Sequence, residues 1–190
     1  MRCLHWLAKL LTGIVMVLGF VAPVSAEYIV PLEAQVEARS RADAIVFNGT
    51  FEFEPSQEIL DVLRRGISLT FILEAKITKN RWYWVDKTVG ERKEALRLSY
   101  SPLTRQYRTN LGGITQNFDS LEQALRFMST VKNLVIRDYR NVESEDYEAS
   151  ARLYLDVSRL PKPFQVSIKR GSGWNMDTGW FDVKIVSVGE

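Results

Sequence analysis

A strict alternation of apolar and polar residues at positions 67–78 constrains the fold more than any other feature of the sequence. Every odd position is apolar, and every even position except Ile72 is polar or charged. Side chains alternate between two faces along a β-strand, so this period of two predicts a strand with one buried and one solvent-exposed face. At about 3.3 Å per residue such a strand crosses a whole small domain, and we expect it at the centre of a sheet.

Shorter alternating segments are separated by turn residues elsewhere in the sequence. They predict about eight or nine strands, including residues 27–39, 45–54, 134–139, 147–157, 164–168 and 180–188. Two short helices are expected, one at residues 55–65 before Gly66 and one that starts at Asp119 or Ser120 and ends at Asn133. This pattern is typical of antiparallel sheets, so the predicted fold is a mostly β, antiparallel β-sandwich-like domain.

Asn48 and Gly49 spell a hairpin turn inside one of these segments. The apolar positions on either side of the pair nevertheless keep the same parity. A two-residue turn would put Phe47 on the same face as Thr50, because register and side-chain direction are coupled in a hairpin. We therefore predict one continuous strand.

The N-terminus has the features of a secretory signal peptide. Arg2 and Lys9 provide a basic start, an apolar run covers residues 10–21, and the small residues up to Ala26 suit a signal peptidase. We expect cleavage after Ala26, a single β-rich domain at residues 27–190, and a periplasmic or secreted protein. The apolar run is shorter than the about 20 residues of a membrane span, so a retained anchor is the alternative and no stable transmembrane segment is expected after cleavage.

Cleavage would also remove Cys3 and His5, which are the only cysteine and the only histidine of the sequence. Without them, a Ser-His-Asp triad, a thiolate nucleophile and a zinc site with nitrogen and sulfur ligands are excluded. Loss of Arg2 and Lys9 reduces the 25 basic side chains to the number of acidic ones, 23. A neutral exported chain has no electrostatic attraction for nucleic acid.

An aromatic and basic stretch directly follows the long alternating strand. Tryptophan, tyrosine and arginine dominate binding hot spots, so we predict a binding surface for a protein, a glycan or a lipid headgroup. Its candidate residues are Arg81, Trp82, Tyr83, Trp84, Arg105, Tyr107 and Arg108. Adjacent aromatic residues point in different directions, so the alternative is that at least one of them belongs to the core.

Other local patterns have simpler explanations than a site. Oxygen-bearing residues from Asn141 to Glu148 are spaced like a calcium loop but lack its glycine, which favours a solvated loop. Ser129 and Lys132 spell the Ser-x-x-Lys motif of penicillin-recognising enzymes without its partner motifs. No catalytic residue, cofactor or metal ligand is predicted. The carboxylates considered for glycoside hydrolysis are Asp86, Glu91, Glu94 and Asp156.

Several segments, taken together, carry a resemblance. They are residues 67–77, Arg81-Trp82-Tyr83-Trp84, and residues 98–100, 103–108, 118–125 and 160–165. This combination resembles domain-of-unknown-function family 4390, an exported proteobacterial family without an assigned activity, over nearly all of residues 27–190. The resemblance implies a Gram-negative envelope protein with a signal peptide, and an envelope or signalling protein as its partner.

The sequence therefore favours a non-catalytic binding or interaction module of the cell envelope. A carboxylate-dependent hydrolase acting on glycans is one alternative, and it requires a deep pocket with two acids at catalytic distance. A lipophile carrier is the other, and it requires an apolar cavity between the sheets rather than a filled core.

Overall fold

The computed structural model describes residues 28–39, 44–79, 87–138, 147–168, 174 and 176–188. Nine β-strands and three α-helices lie within these residues. The strands are β1 (Tyr28–Arg39), β2 (Ala44–Glu54), β3 (Leu69–Lys79), β4 (Lys87–Ser101), β5 (Gln106–Leu111), β6 (Ile114–Phe118), β7 (Thr130–Asp138), β8 (Tyr147–Leu155) and β9 (Phe181–Val188). The helices are α1 (Gln57–Arg64), α2 (Leu121–Met128) and α3 (Lys162–Ile168), and a 3₁₀ turn spans Val157–Arg159.

The nine described strands form one sheet in the order β6-β5-β4-β3-β8-β9-β1-β2-β7. Neighbouring strands are antiparallel except β1 and β9, which are parallel. The sheet curls until β7 approaches β4, so its concave inner face encloses the core and its convex outer face points away from it. The predicted mostly β, largely antiparallel fold is confirmed, and its sandwich-like arrangement takes the form of a single curled sheet.

The long alternating strand is β3, and it lies between β4 and β8 as a central strand. Its odd residues are buried in the core as predicted. The expectation of a solvent-exposed second face is wrong for the first half of the strand, because Thr70, Ile72 and Glu74 are each no more than 7% exposed. The adjacent strands contribute long polar side chains to this face, and two of them, Lys93 and Tyr154, bind Glu74 directly. Alternation in sequence therefore marks two chemically different buried faces here.

The inner face of the sheet is filled by apolar side chains. Phe53 packs edge-to-face on Phe71 with ring centroids 5.3 Å apart, and Phe51 packs in the same way on Phe181 at 6.3 Å. These side chains belong to one contiguous cluster of buried residues. Every described strand contributes either a buried member of this cluster or a partly buried side chain that packs against it. Its largest fully buried members are Phe47, Phe51, Phe71, Ile45, Ile59, Leu63, Leu69, Leu73, Ile77, Leu96, Leu98 and Met128.

The two predicted helices are present and close the core. In α1 the Ser56 hydroxyl accepts a hydrogen bond from the Ile59 N–H at 3.3 Å, and the left-handed Gly66 (φ 82°) follows the helix end. In α2 the Ser120 hydroxyl accepts from the Gln123 N–H at 3.3 Å, which identifies Ser120 as the N-cap. Both helices place an apolar stripe against the sheet.

The predicted end of α2 at Asn133 is wrong. The helix ends at Met128, and β7 begins at Thr130 rather than at residue 134. Asn133 lies inside β7 with a left-handed backbone (φ 57°), a conformation that asparagine tolerates better than most residues. The sequence signal at Asn133 was thus a backbone irregularity within a strand instead of a helix terminus.

The predicted strand at residues 164–168 is also wrong, because these residues belong to α3. The carbonyl of Pro161 accepts hydrogen bonds from the N–H groups of Phe164 at 3.0 Å and Gln165 at 3.4 Å, as in a first helical turn. Prolines fit the start of a helix because the first N–H groups have no intrahelical partner. Three apolar residues at a spacing of two are too few to separate a strand from a helix.

The prediction of one continuous strand through Asn48 and Gly49 is confirmed by β2. Asn48 Nδ2 donates to Glu37 Oε1 of β1 at 2.8 Å, and Asn48 Oδ1 accepts from the N–H of Asn133 in β7 at 2.8 Å. One amide therefore ties β2 to both of its neighbouring strands, at the position where β7 departs from regular pairing.

We expect Asn48→Ala to lower the free energy of unfolding by about 1 kcal/mol, because it removes two hydrogen bonds and leaves the Asn133 N–H to water. Chemical denaturation measures the change. Gln116→Ala, at an exposed position of β6, is the control and should stay within about 0.5 kcal/mol of the parent. Equal stability of the two variants would show that the Asn48 bonds contribute nothing measurable.

Candidate functional site

A groove of about 620 Å³ opens where the end of β2 meets α1 and α2, and we call it the β2 groove. Half of its lining residues are apolar, and its charged side chains are mostly acidic. The apolar lining comes from Leu32, Phe51, Phe53, Leu60, Leu121 and Leu125, and the charged lining from Glu52, Glu54, Glu122 and Arg126.

Leucines line the β2 groove because the apolar stripe of α2 is wider than the part of it that the core buries. In α2, Ala124 and Met128 are fully buried, while Leu121 and Leu125 are only partly buried against the core. On β1, Leu32 is 57% exposed at the β-bulge where the pairing with β2 shifts register. These apolar side chains remain accessible after the fold is complete.

Acidic side chains of β2 form the outer side of the groove. Glu52 and Glu54 alternate with the buried Phe51 and Phe53, so they point to the outer face and both are exposed. Arg126 pairs with Glu122 at 2.7 Å, but neither Glu52 nor Glu54 has an ion pair with any residue that the structure describes. The groove therefore combines apolar walls with uncompensated negative charge.

Two exposed apolar residues of β1 extend this acidic surface. Val30 lies opposite Glu52 and Tyr28 lies opposite Glu54 in the β1–β2 ladder. Val30 is 40% and Tyr28 is 37% exposed. Apolar and acidic side chains thus alternate across the outer face of the β1–β2 pair.

The backbone edge of β2 is open along the groove. The Phe51 N–H donates to the carbonyl of Ser129 at 2.8 Å, and β7 pairs with β2 only as far as Thr50. Phe51 lies opposite Pro31, which has no N–H, so Phe51 directs its own polar groups away from β1. Phe53, two residues on, has the same orientation, and its N–H and C=O point into the groove.

A second polar feature, the Glu74 cluster, lies on the outer face of β3 and its two neighbours. Glu74 Oε1 accepts hydrogen bonds from Lys93 Nζ at 3.0 Å and from the Tyr154 hydroxyl at 2.8 Å. Burial favours the neutral acid, but the bonds from Lys93 and Tyr154 and the positive charges of Lys93 and Arg152 outweigh it and lower the pKa of Glu74. Burial and the bond to Glu74 raise the pKa of Tyr154. The carboxylate is therefore held ionised with both partners in place.

Arg152 extends the Glu74 cluster to the segment that precedes β9. Its guanidinium makes a two-pronged ion pair with Asp177, through Nε at 2.9 Å and through a second contact from Nη2. This pair lowers the pKa of Asp177, with further help from the N–H of Gly179. The guanidinium also stacks over the Tyr154 ring at 4.8 Å, and Lys76 lies 3.5 Å above the ring of Trp180. The cluster links β3, β4, β8 and the segment before β9, and each of its two carboxylates is bound by a positively charged side chain.

Residues 33–184 match the family whose description is Domain of unknown function (DUF4390). The chain belongs to the DUF4390 family. The resemblance carried by the sequence segments is thereby confirmed. No curated protein and no solved structure is significantly similar to the chain. In the part of this DUF4390 chain that the structure describes, no helix is both long and apolar enough to cross a bilayer.

The predicted aromatic and basic surface of this DUF4390 chain is only partly visible. Arg81, Trp82, Tyr83 and Trp84 lie outside the described residues. On β5, Tyr107 points to the inner face and packs on Tyr100 with ring centroids 4.8 Å apart. Arg108 points to the opposite face, where its Nε donates to Asn117 Oδ1 at 3.0 Å, and Arg105 is exposed in the preceding turn. The structure does not bring these three side chains to one face, and the binding role of the set stays a prediction.

The carboxylates considered for hydrolysis are dispersed over the DUF4390 fold. Glu94 pairs with Arg92 at 2.9 Å, Glu91 with Lys93 at 3.4 Å, and Asp156 with Arg159 at 2.9 Å. Asp86 and most of the acidic loop at residues 141–148 lie outside the described residues. Ser129 donates to the Arg126 carbonyl at the end of α2. Among described residues, no cluster of three or more His, Cys, Asp or Glu side chains is arranged to hold a metal ion.

The β2 groove was not predicted from the sequence. Its walls come from four separate segments, around residues 32, 52–54, 60 and 121–125, that only the fold brings together. The one local signal was the pair of glutamates that alternate with phenylalanines in β2. Sequence alone explains this pair as the solvent-exposed face of a strand.

Proposed function

We propose that this DUF4390 protein is an exported, non-catalytic binding module of the Gram-negative cell envelope that holds a protein partner in the β2 groove. The signal-peptide features of residues 1–26 support export. The β2 groove carries the binding part of the proposal, because it joins accessible leucines, unpaired acids and an open strand edge in one concave surface. Accessible apolar surface rimmed by polar residues marks interaction sites.

The filled core argues against a lipophile carrier. Such a carrier needs an apolar cavity within the curled sheet, whereas the described inner-face side chains pack into one buried cluster with several members fully excluded from solvent. The β2 groove is an accessible apolar space, but it opens to the surface and is not enclosed by the sheet.

The state of the carboxylates argues against a hydrolase. Glu74 is the one buried carboxylate among the residues that the structure describes, and Lys93 and Tyr154 both bind it. Glu52 and Glu54 are close in sequence on one strand face, but both are exposed in an open groove. A general acid needs an enclosed position that keeps its proton, and these two positions do not supply one.

Site-specific photocrosslinking in intact cells tests the proposal. A photoreactive amino acid replaces Leu32 in one strain and Gln116, on the edge strand β6, in the other. After cell fractionation we expect the protein in the periplasm, with Glu27 as its first residue, and a discrete crosslinked species from position 32 only. Absence of any specific species from either position, together with hydrolytic activity of the purified protein in a glycan screen, would overturn the proposal.

A further inference from the structure

Resting on the proposed function, we propose that the β2 groove binds an extended partner segment with alternating basic and apolar side chains, which adds as a strand to the edge of β2 at Phe53.

The open edge of β2 supplies the first reason for an extended segment. On this side of β2 the Phe51 N–H is the last group that pairs, with the Ser129 carbonyl, and Phe53 then presents an N–H and a C=O to the groove. No residue that the structure describes pairs with Phe53 on this edge. Backbone groups of an exposed edge pair readily with an added strand, and this mode gives affinity through main-chain bonds.

The two sides of the groove supply the reason for alternating chemistry. Side chains of an added strand point alternately to the inner and outer faces of the sheet. The inner side is lined by Leu60, Leu121 and Leu125, and the last two pack against the core cluster. The outer side is lined by Glu52 and Glu54. A segment with apolar residues at every second position and Lys or Arg between them therefore matches both sides.

Charge selects this partner over an anionic membrane surface. Glu52 and Glu54 are exposed and lack ion pairs with described residues, so they attract cations and repel phosphate-bearing lipids. The only described counter-charge in the groove lining, Arg126, already pairs with Glu122 at 2.7 Å. The apolar and negatively charged lining of the groove therefore fits a polypeptide with apolar and basic side chains.

Binding of a synthetic peptide tests the inference. The probe is a fluorescein-labelled, N-acetylated and C-amidated peptide of five Lys-Val repeats, and fluorescence anisotropy reports its dissociation constant with the purified exported protein. Amide hydrogen exchange of the bound protein is measured in parallel. We expect saturable binding that weakens with added salt, and slower exchange of the Phe53 amide on binding, since the amides of Glu52 and Glu54 face β1 in the ladder.

Matched variants and peptides decide between outcomes. Glu52→Lys should weaken binding about tenfold, because it replaces an attraction by a repulsion in the groove. Asp182→Lys makes the same charge change at an exposed position of β9 and should leave binding within about twofold. Peptides of five Lys-Ser or five Glu-Val repeats, which lack the apolar or the basic half of the pattern, should bind at least about tenfold more weakly than the probe.

Three results would overturn the inference. They are equal binding by the Glu52→Lys and Asp182→Lys variants, unchanged exchange of the Phe53 amide in the peptide complex, and preferential binding of the protein to vesicles of anionic phospholipid. If photocrosslinking from position 32 still captures a partner in cells, the binding-module proposal survives this failure and only the extended, basic character of the partner is refuted.

Discussion

Replacing Gly49 by valine is expected to lower the free energy of unfolding by about 3 kcal/mol, at the upper end of the cost of overpacking a core. Gly49 lies in the middle of β2 on the inner face, and the ring of Phe47 folds over it. A Cβ at this position would lie 2.6 Å from Cζ and 2.7 Å from Cε1 of Phe47, which is closer than two carbon atoms approach without repulsion. Phe47 is completely buried, so its ring can shift only by displacing the side chains packed around it. The side chain of valine therefore forces either the ring or the strand out of place.

Thermal and chemical denaturation of Gly49→Val measure this cost. Thr50→Val is the matched control, because it introduces the same side chain at the adjacent residue. Thr50 points to the outer face of the sheet and is only partly buried. We expect the control to stay within about 1 kcal/mol of the parent. A Gly49→Val protein as stable as the control would mean that Phe47 does not occupy the space above the glycine.

The Asn48-Gly49 pair shows how much of this fold the sequence could predict. Side-chain parity overruled a good local turn signal, and it did so because a buried face spans the whole of β2. The reason that asparagine and glycine occupy these positions is tertiary. Asn48 bonds to strands on both sides, and Gly49 makes room for a ring two residues away. Neither role leaves a pattern in the local sequence.

The errors in the sequence analysis have two causes, which are patterns too short to separate a strand from a helix and distant contacts that a local pattern does not record. Residues 164–168 have too few alternations to exclude a helix, and the hydrogen bonds to Pro161 decide for one. Glu74 looks like a solvated side chain on the polar face of β3, yet Lys93 and Tyr154 come from strands about 20 and 80 positions away in sequence. Periodicity predicts which residues share a face but cannot tell what covers that face.

The candidate site was beyond sequence analysis for the same reason. The sequence predicted that α1 and α2 exist, but the β2 groove depends on the leucines that the core leaves accessible and on the point where β7 stops pairing with β2. Those are properties of how elements meet. The residues that composition singled out, Tyr107 and Arg108, are separated by the strand geometry that makes neighbours face opposite ways.

Glu74→Gln is expected to lower the free energy of unfolding at neutral pH by about 2 kcal/mol, because it removes the charge that holds Lys93 and Tyr154 on a mostly buried part of the outer face. Glu91→Gln is the control. Glu91 also contacts Lys93, at 3.4 Å, but its side chain is 43% exposed, and an exposed ion pair contributes little. The difference in unfolding free energy between the two variants shows how much more a buried carboxylate contributes than an exposed carboxylate near the same lysine.

The pH dependence of this difference follows from the lowered pKa of Glu74. A carboxyl whose pKa is lower in the folded than in the unfolded protein stabilises the fold fully above its ordinary value of 4.5, and this stabilisation is lost as the pH falls through the folded-state pKa. The parent should therefore lose more stability than Glu74→Gln between pH 7 and pH about 3, so the two curves converge in acid. Denaturation midpoints over this range provide the measurement. Parallel curves would show that the cost of Glu74→Gln comes from altered packing and not from loss of the ionised carboxylate.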